Sequence, residues 1–262
     1  MVKDMKRKLS RIARLEGARL FGVAGVERFA GAPRGHHPLD FLPRARSVVV
    51  VGLPVLKSIA DYQTLLKNSE MITGKLRQEY LQQYFYQITG YDILNQRLEQ
   101  IVLSLSLYLD DRGFDSIYFP ATYSGQYKAF QNKVPGNAGI FSMRHAAVRA
   151  GLGEFGLNNV VVTPSYGPRV RFNALVTEAE LEPTPLPAEQ ICLGLKCGAC
   201  LKQCGGAALS LLDGAGESNN HHAGSEAVRL DPVSRTNIPA CSSKRIQAFC
   251  YGRCIQVCPV GN

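Results

Sequence analysis

All eight cysteines of the chain fall from residue 192 onward. They form two runs, Cys192-x4-Cys197-x2-Cys200-x3-Cys204 and Cys241-x8-Cys250-x3-Cys254-x3-Cys258-Pro259. Thiolates are soft, charged ligands, so at such short spacing they hold iron–sulfur clusters or zinc, or else pair as disulfides. Zinc sites usually show two separated C-x2-C pairs, whereas a closing Cys-Pro after an x3 gap is a habit of iron–sulfur runs. Disulfides need an oxidising compartment. Eight ligands with none left over predict two 4Fe-4S clusters.

In two-cluster ferredoxins the fourth cysteine of each run crosses to the other cluster. Applied here, one cluster takes Cys192, Cys197, Cys200 and Cys258, and the other takes Cys204, Cys241, Cys250 and Cys254. The spacings depart from that pattern: an x4 gap follows Cys192, Gly205 stands after Cys204 where proline is usual, and x3 separates Cys250 from Cys254. These departures leave the partition of ligands open.

The basic start, MVKDMKRKLSRIARLEG, is followed by no apolar signal core, and no stretch offers the roughly 18 unbroken apolar residues of a membrane span. The expectation is a soluble, cytoplasmic protein with no membrane partner. A reducing compartment in turn favours metal ligation over disulfides. The formal charge of +9 counts the cysteines as neutral; two clusters of about two negative units each would bring it to roughly +5. A mildly basic surface or an anionic ligand follows, and nucleic acid is not an expected partner. With 262 residues, 45% hydrophobic and 19% charged, the chain can bury a core without disulfides.

The elements that must position these groups follow from periodicity. Residues 6–17 carry Leu9, Ile12, Ala13 and Leu15 at helical spacing, with Gly17 as the stop. A short apolar run, 20–26, follows, and the VVVVGLP run within 46–54 reads as a central strand buried on both faces. Residues 92–112 place Leu94, Leu98, Ile101, Leu105 and Tyr108 on one helical stripe closed by Gly113, and the tyrosine- and glutamine-rich 61–89 also reads as helix. Strands are expected at 116–120, 160–163 and 169–176, and a helix at 142–150 with Ser142 or a neighbour as N-cap. The loop 121–139 is irregular and of functional length. Three prolines within 182–190 mark a stiff boundary, giving one domain over 1–186 and a second over 187–262. Inside the second, 213–226 reads as a surface loop whose His221 and His222 are solvated.

Two clusters need only about 60 residues, so the larger domain must supply a reaction or a partner site. The segment FSMRHAAVRAGLGEFGLNNVVVTPSYGPRVRFNALVTEAELEP, the upstream SVVVVGLP strand and the closing Cys-Pro, in that order, resemble the core of the cobalamin-dependent epoxyqueuosine reductases and reductive dehalogenases. The resemblance implies an α+β chain: a nitroreductase-like α/β domain that holds a corrinoid, followed by a two-cluster ferredoxin-like module that feeds it electrons. It also implies that Ser142, Arg144, Gly151, Gly153, Gly156, Tyr166 and Arg169 border the cofactor, the glycines by letting backbone approach a flat macrocycle. The alternative is that the same glycines only allow tight helix-to-strand packing. Arg171 has the same reading as Arg169, and His145 is expected to be structural, because the corrinoid of these enzymes takes no protein imidazole.

Departures from the family pattern matter as well. Asn137 aligns where epoxyqueuosine reductases carry an aspartate acid, and no helical repeats follow the clusters in this sequence. Both point away from the queuosine reaction, and Tyr123 and Tyr127, in YFPATYSGQYK, are the candidate proton donors. The leading expectation is an oxidoreductase that passes electrons through two clusters to a cobalamin for reduction of a small-molecule substrate, with ferredoxin or flavodoxin as donor. An electron-transfer or corrinoid-reducing partner protein, and a flavin-dependent reductase, are the alternatives.

Overall fold

The computed structural model describes residues 2–65, 80–81, 83–121, 139–212, 228–241 and 252–261. Contacts group the chain into two compact units, the first from 1–53, 95–152 and 172–186, the second from 54–94, 153–171 and 187–262. Both helices and strands build it, an α+β architecture.

In the first unit, helix α1 (Val2–Leu15) begins about one turn before the expected start at residue 6. Asp4 sits in its first turn, where the helix dipole favours an anion, and pairs with Arg7 and Lys8 at 2.7 and 2.9 Å. Leu9 and Ala13, four apart, are fully buried, while Arg7, Lys8, Arg11 and Arg14 are exposed. Strand β1 (Leu20–Gly25) pairs antiparallel with β2 (Ser47–Pro54), Leu20 opposite Gly52 and Gly25 opposite Ser47. The four-stranded sheet runs β1-β2-β6-β3, with β3 spanning Ser116–Tyr118 and β6 Val170–Thr177. The valine run thus forms an internal strand, and continuous burial from Ser47 to Leu53 follows from its position.

Helix α2 (Ile93–Asp110) packs through Leu98, Ile101, Val102, Leu105 and Leu109, all fully buried. Burying each such side chain stabilises by about 1.5–3 kcal/mol. The stripe runs through Leu109 in place of the expected Tyr108, whose ring instead lies under the Arg112 guanidinium, 3.6 Å from Cζ to centroid. Helix α3 (Met143–Arg149) starts at Ser142, as the sequence suggests, with the hydroxyl accepting from the His145 amide.

In the second unit, residues Gln83–Asp92 wind in wide π-type turns. A hairpin pairs β4 (Glu154–Phe155) with β5 (Val161–Val162), Glu154 opposite Val162. A tight turn closes between Thr163 and Gly167, and a second hairpin pairs β7 (Leu209–Leu211) with β8 (Ser234–Thr236). Two single-turn helices, α4 (Ala199–Lys202) and α5 (Arg253–Gln256), lie against each other. The sequence reading treats 151–156 as a glycine-rich element and misses β4, because a two-residue strand is too short to show alternation.

Candidate metal centre

The two cysteine runs share one local device. Gly198-Ala199-Cys200-x3-Cys204 and Gly252-Arg253-Cys254-x3-Cys258 each open on a left-handed glycine, φ 56° at Gly198 and 79° at Gly252. A side-chain-bearing residue is strained there. Each glycine caps a single helical turn that carries one cysteine and delivers the next just beyond its end. Arg253 Nε donates to Gln203 Oε1 at 3.1 Å, joining the two copies. The repeat is visible in the sequence once the glycines are aligned, but cysteine spacing alone hides it behind unequal gaps.

Electrostatics group four thiols. Burial first, and then the neighbouring Cys192 and Cys258, push Cys200 up to about 11. Burial likewise raises Cys258, and Cys192 and Cys197 add to it. Cys200 thus lies near Cys192 and Cys258, and Cys258 near Cys192 and Cys197, so Cys258 sits among cysteines of the other run. Thiols held together and half-buried resist ionisation until a cation offsets their charge, and a metal that binds them must release their protons. This donor set fits an iron–sulfur cluster. Of the remaining four, Cys204 Sγ accepts from the Ala208 amide at 3.3 Å, an N–H to sulfur bond of the kind that tunes cluster potentials. Cys254 is half-buried and Cys241 exposed, while Cys250 lies outside the described residues. Among the described residues, no three His, Cys, Asp or Glu side chains stand close enough to hold a single metal ion.

The β4–β5 hairpin brackets both runs. Glu154, fully buried, accepts through Oε1 from the amides of Ile191 at 2.9 Å and Cys192 at 2.5 Å, and through Oε2 from the amide of Arg229 at 3.0 Å. The Arg229 guanidinium stands 3.5 Å away. Burial raises the Glu154 carboxyl above its usual range, against the pull of these donors. In the hairpin turn, Asn158 Nδ2 donates to the Cys254 carbonyl at 3.2 Å, and Asn159 Nδ2 donates to Thr236 Oγ1 at 3.0 Å. The sequence signal for Glu154 was available: it is the one charged residue of AGLGEFG.

The residues expected at a macrocycle are distributed differently. A Cβ at Gly153 would fall on the carbonyl oxygen of Val162, and one at Gly151 on that of Pro185. At Gly156 it would meet Val162 Cγ2 at 2.6 Å and Asn158 Oδ1 at 2.7 Å. On the side a Cβ would take, the close approach at all three glycines is made by the protein's own atoms, as tight internal packing requires. Arg169, 8% exposed, donates to the carbonyls of Val55 at 3.0 Å and Gly261 at 2.6 Å. Arg171 lies over the Tyr91 ring, 3.8 Å to centroid. Tyr166 is half-buried in the Thr163–Gly167 turn, and Arg144 is exposed on α3. The Ser142 hydroxyl lies 2.7 Å from His145 Nδ1. Tyr123, Tyr127, Asn137, His221 and His222 lie outside the described residues.

No family model matches the sequence, and no curated protein matches it either. Solved structures do. The catabolic reductive dehalogenase NpRdhA, in complex with 3-bromo-4-hydroxybenzoic acid, superposes with a TM-score of 0.59 at 14% identity, over 97% of this chain and 31% of that one. This chain shares that dehalogenase fold. A second reductive dehalogenase structure, reported for B12-dependent dehalogenation, gives 0.55 at 14% identity over the same shares. Epoxyqueuosine reductase from Bacillus subtilis gives 0.49 at 18% identity over 78% of this chain and 52% of that one. The reductive dehalogenases are one of the two families that the sequence resembles. The chain spans about half the length of the reductase and about a third of the dehalogenase. Among the described residues, no helix is long and apolar enough to cross a membrane.

Proposed function

We propose that the chain is an iron–sulfur reductase whose second unit carries two 4Fe-4S clusters. The observation behind this reading is the convergence of Cys192, Cys197, Cys200 and Cys258, a set that a run-by-run reading would split. The repeated Gly-x-Cys-x3-Cys turn adds to it. The decisive measurement is iron and acid-labile sulfide in anaerobically purified protein, about eight of each per chain. Zinc in place of iron ends the reading.

On the shared fold and the sequence resemblance we further propose cobalamin as the second cofactor, a small molecule as substrate and a one-electron carrier such as ferredoxin or flavodoxin as donor. Cobalamin would supply a low-potential cobalt centre for reduction of the substrate. Ser142, Arg144, Tyr166, Tyr123 and Tyr127 remain proposed around it, in a protein taken to be cytoplasmic. The filled space beside Gly151, Gly153 and Gly156 favours a second reading, an electron carrier or corrinoid-reducing partner without a substrate of its own. Titration with cobalamin and with flavin separates the readings: stoichiometric binding of cobalamin supports the reductase, binding of flavin alone identifies a flavoenzyme, and binding of neither supports the carrier.

A further inference from the structure

Every polar group within hydrogen-bonding reach of the Glu154 carboxylate, among the described residues, is a donor: the amides of Ile191, Cys192 and Arg229 and the Arg229 guanidinium. An ionised carboxylate accepts at both oxygens and donates from neither, so it is the form that matches this set. The contact is specific in place. It reaches the main chain of the first cysteine of the first run and that of Arg229. Main-chain pairing already holds the same strands together, because the Phe155 amide donates to the Arg229 carbonyl at 2.9 Å. The carboxylate therefore does more than join the strands: it fixes where the Cys192 amide points.

Resting on the iron–sulfur reading above, we propose that Glu154 is a positioning residue for the cluster that Cys192 ligates. Its carboxylate clamps the Cys192 turn, engages an amide that could otherwise bond a cluster sulfur, and keeps negative charge beside the cluster. The reduction potential of that one cluster is thereby held low. The physics is direct: N–H to sulfur bonds and nearby positive charge make an electron easier to add, and both are withheld or offset here. Arg229 works in the opposite sense, partly neutralising the carboxylate at 3.5 Å. The other run meets the hairpin through the neutral Asn158 side chain at the Cys254 carbonyl, so the effect falls on one cluster of the two.

The test is a redox titration followed by electron paramagnetic resonance, on full-length, anaerobically purified protein. Glu154→Gln removes the charge and one acceptor while keeping the shape; it is expected to raise one of two midpoint potentials and to speed chelator release of about half the iron. Arg229→Gln is expected to lower the same midpoint, and Glu154→Asp to restore it toward the original. Should Glu154→Gln fail to fold, the Arg229→Gln and Glu154→Asp midpoints carry the test. Unchanged midpoints in folded, iron-loaded variants, or equal shifts of both clusters, overturn the proposal while leaving the cluster reading intact. An iron-free parent protein sinks the cluster reading itself and this inference with it.

Discussion

Arg169 offers the sharpest separation between a residue that serves a cofactor and one that holds the fold. Its guanidinium, 8% exposed, donates to the carbonyls of Val55 and Gly261, and Gly261 lies three residues beyond Cys258. Hydrogen bonds from a charged donor contribute about 1.5–3 kcal/mol each, and truncation leaves both carbonyls without that donor. Arg169→Met, which keeps most of the apolar bulk, is therefore expected to cost at least about 3 kcal/mol. At 2–4 °C per kcal/mol for a chain of this size, that is a fall of roughly 6–12 °C in Tm. Arg169→Lys keeps one point-charge donor and should recover about half of it. The assay is thermal unfolding of the anaerobic protein, with iron content and cobalamin binding measured in parallel. An Arg169→Met protein with unchanged Tm and lost cobalamin binding would refute the structural role and restore the cofactor role read from the sequence.

Cys258→Ser is expected to lower iron from about eight to about four per chain and to remove the signal of the cluster held by Cys192, Cys197 and Cys200; loss of the other cluster alone would contradict the crossed partition. Gly153→Ala should lower soluble yield and iron together, because its Cβ meets the Val162 carbonyl; a folded, iron-replete variant lacking only cobalamin binding would show a cofactor surface there. Alkylation of Cys200 in folded, metal-free protein should be about a hundredfold slower at pH 8 than for a thiol at the usual value near 9, the thiolate fraction scaling with a shift to about 11. Because the shift is upward, the rate should climb about tenfold per pH unit from 8 to 10. A plateau by pH 9 would contradict the burial.

The parts of the fold that the sequence reveals are those with long periodicity or uniform composition. The valine run of β2, the stripe of α2 and the Ser142 cap of α3 each repeat a signal over a full element. Burial shifts the α2 stripe by one residue, from Tyr108 to Leu109, because a tyrosine hydroxyl is better left near water and Arg112 can cover its ring. The prolines of 182–190 coincide with one passage of the chain between its two units, at 186–187. The other passages, near 53, 94, 152 and 171, fall inside or beside strands and helices, where the local sequence shows no break. The cysteine segment stands out because eight thiols on short spacings have few uses. What surrounds it does not, since Glu154 and Asn158 act through long-range hydrogen bonds that no period records.

That difference explains the organisation of the second unit. Single-turn helices such as α4 and α5 are too short to be stable alone, and the β7–β8 hairpin pairs only three residues a side. The cysteine segment therefore borrows rigidity from stretches far away in the chain. The β4–β5 hairpin supplies Glu154 to the first run and Asn158 to the second, Arg169 ties Gly261, and Gln256 donates to Asp61 and Thr64. Each tie ends on main chain or on a residue close to a cysteine, so cysteine positions are fixed by atoms outside the thiol set. Burial and the neighbouring thiols raise the cost of ionising Cys200 and Cys258, so thiolates brought together there would need such ties to hold against their repulsion. The segment 153–171 accordingly belongs with the cysteines in structure, although thirty-odd residues of sequence stand between Glu154 and Cys192.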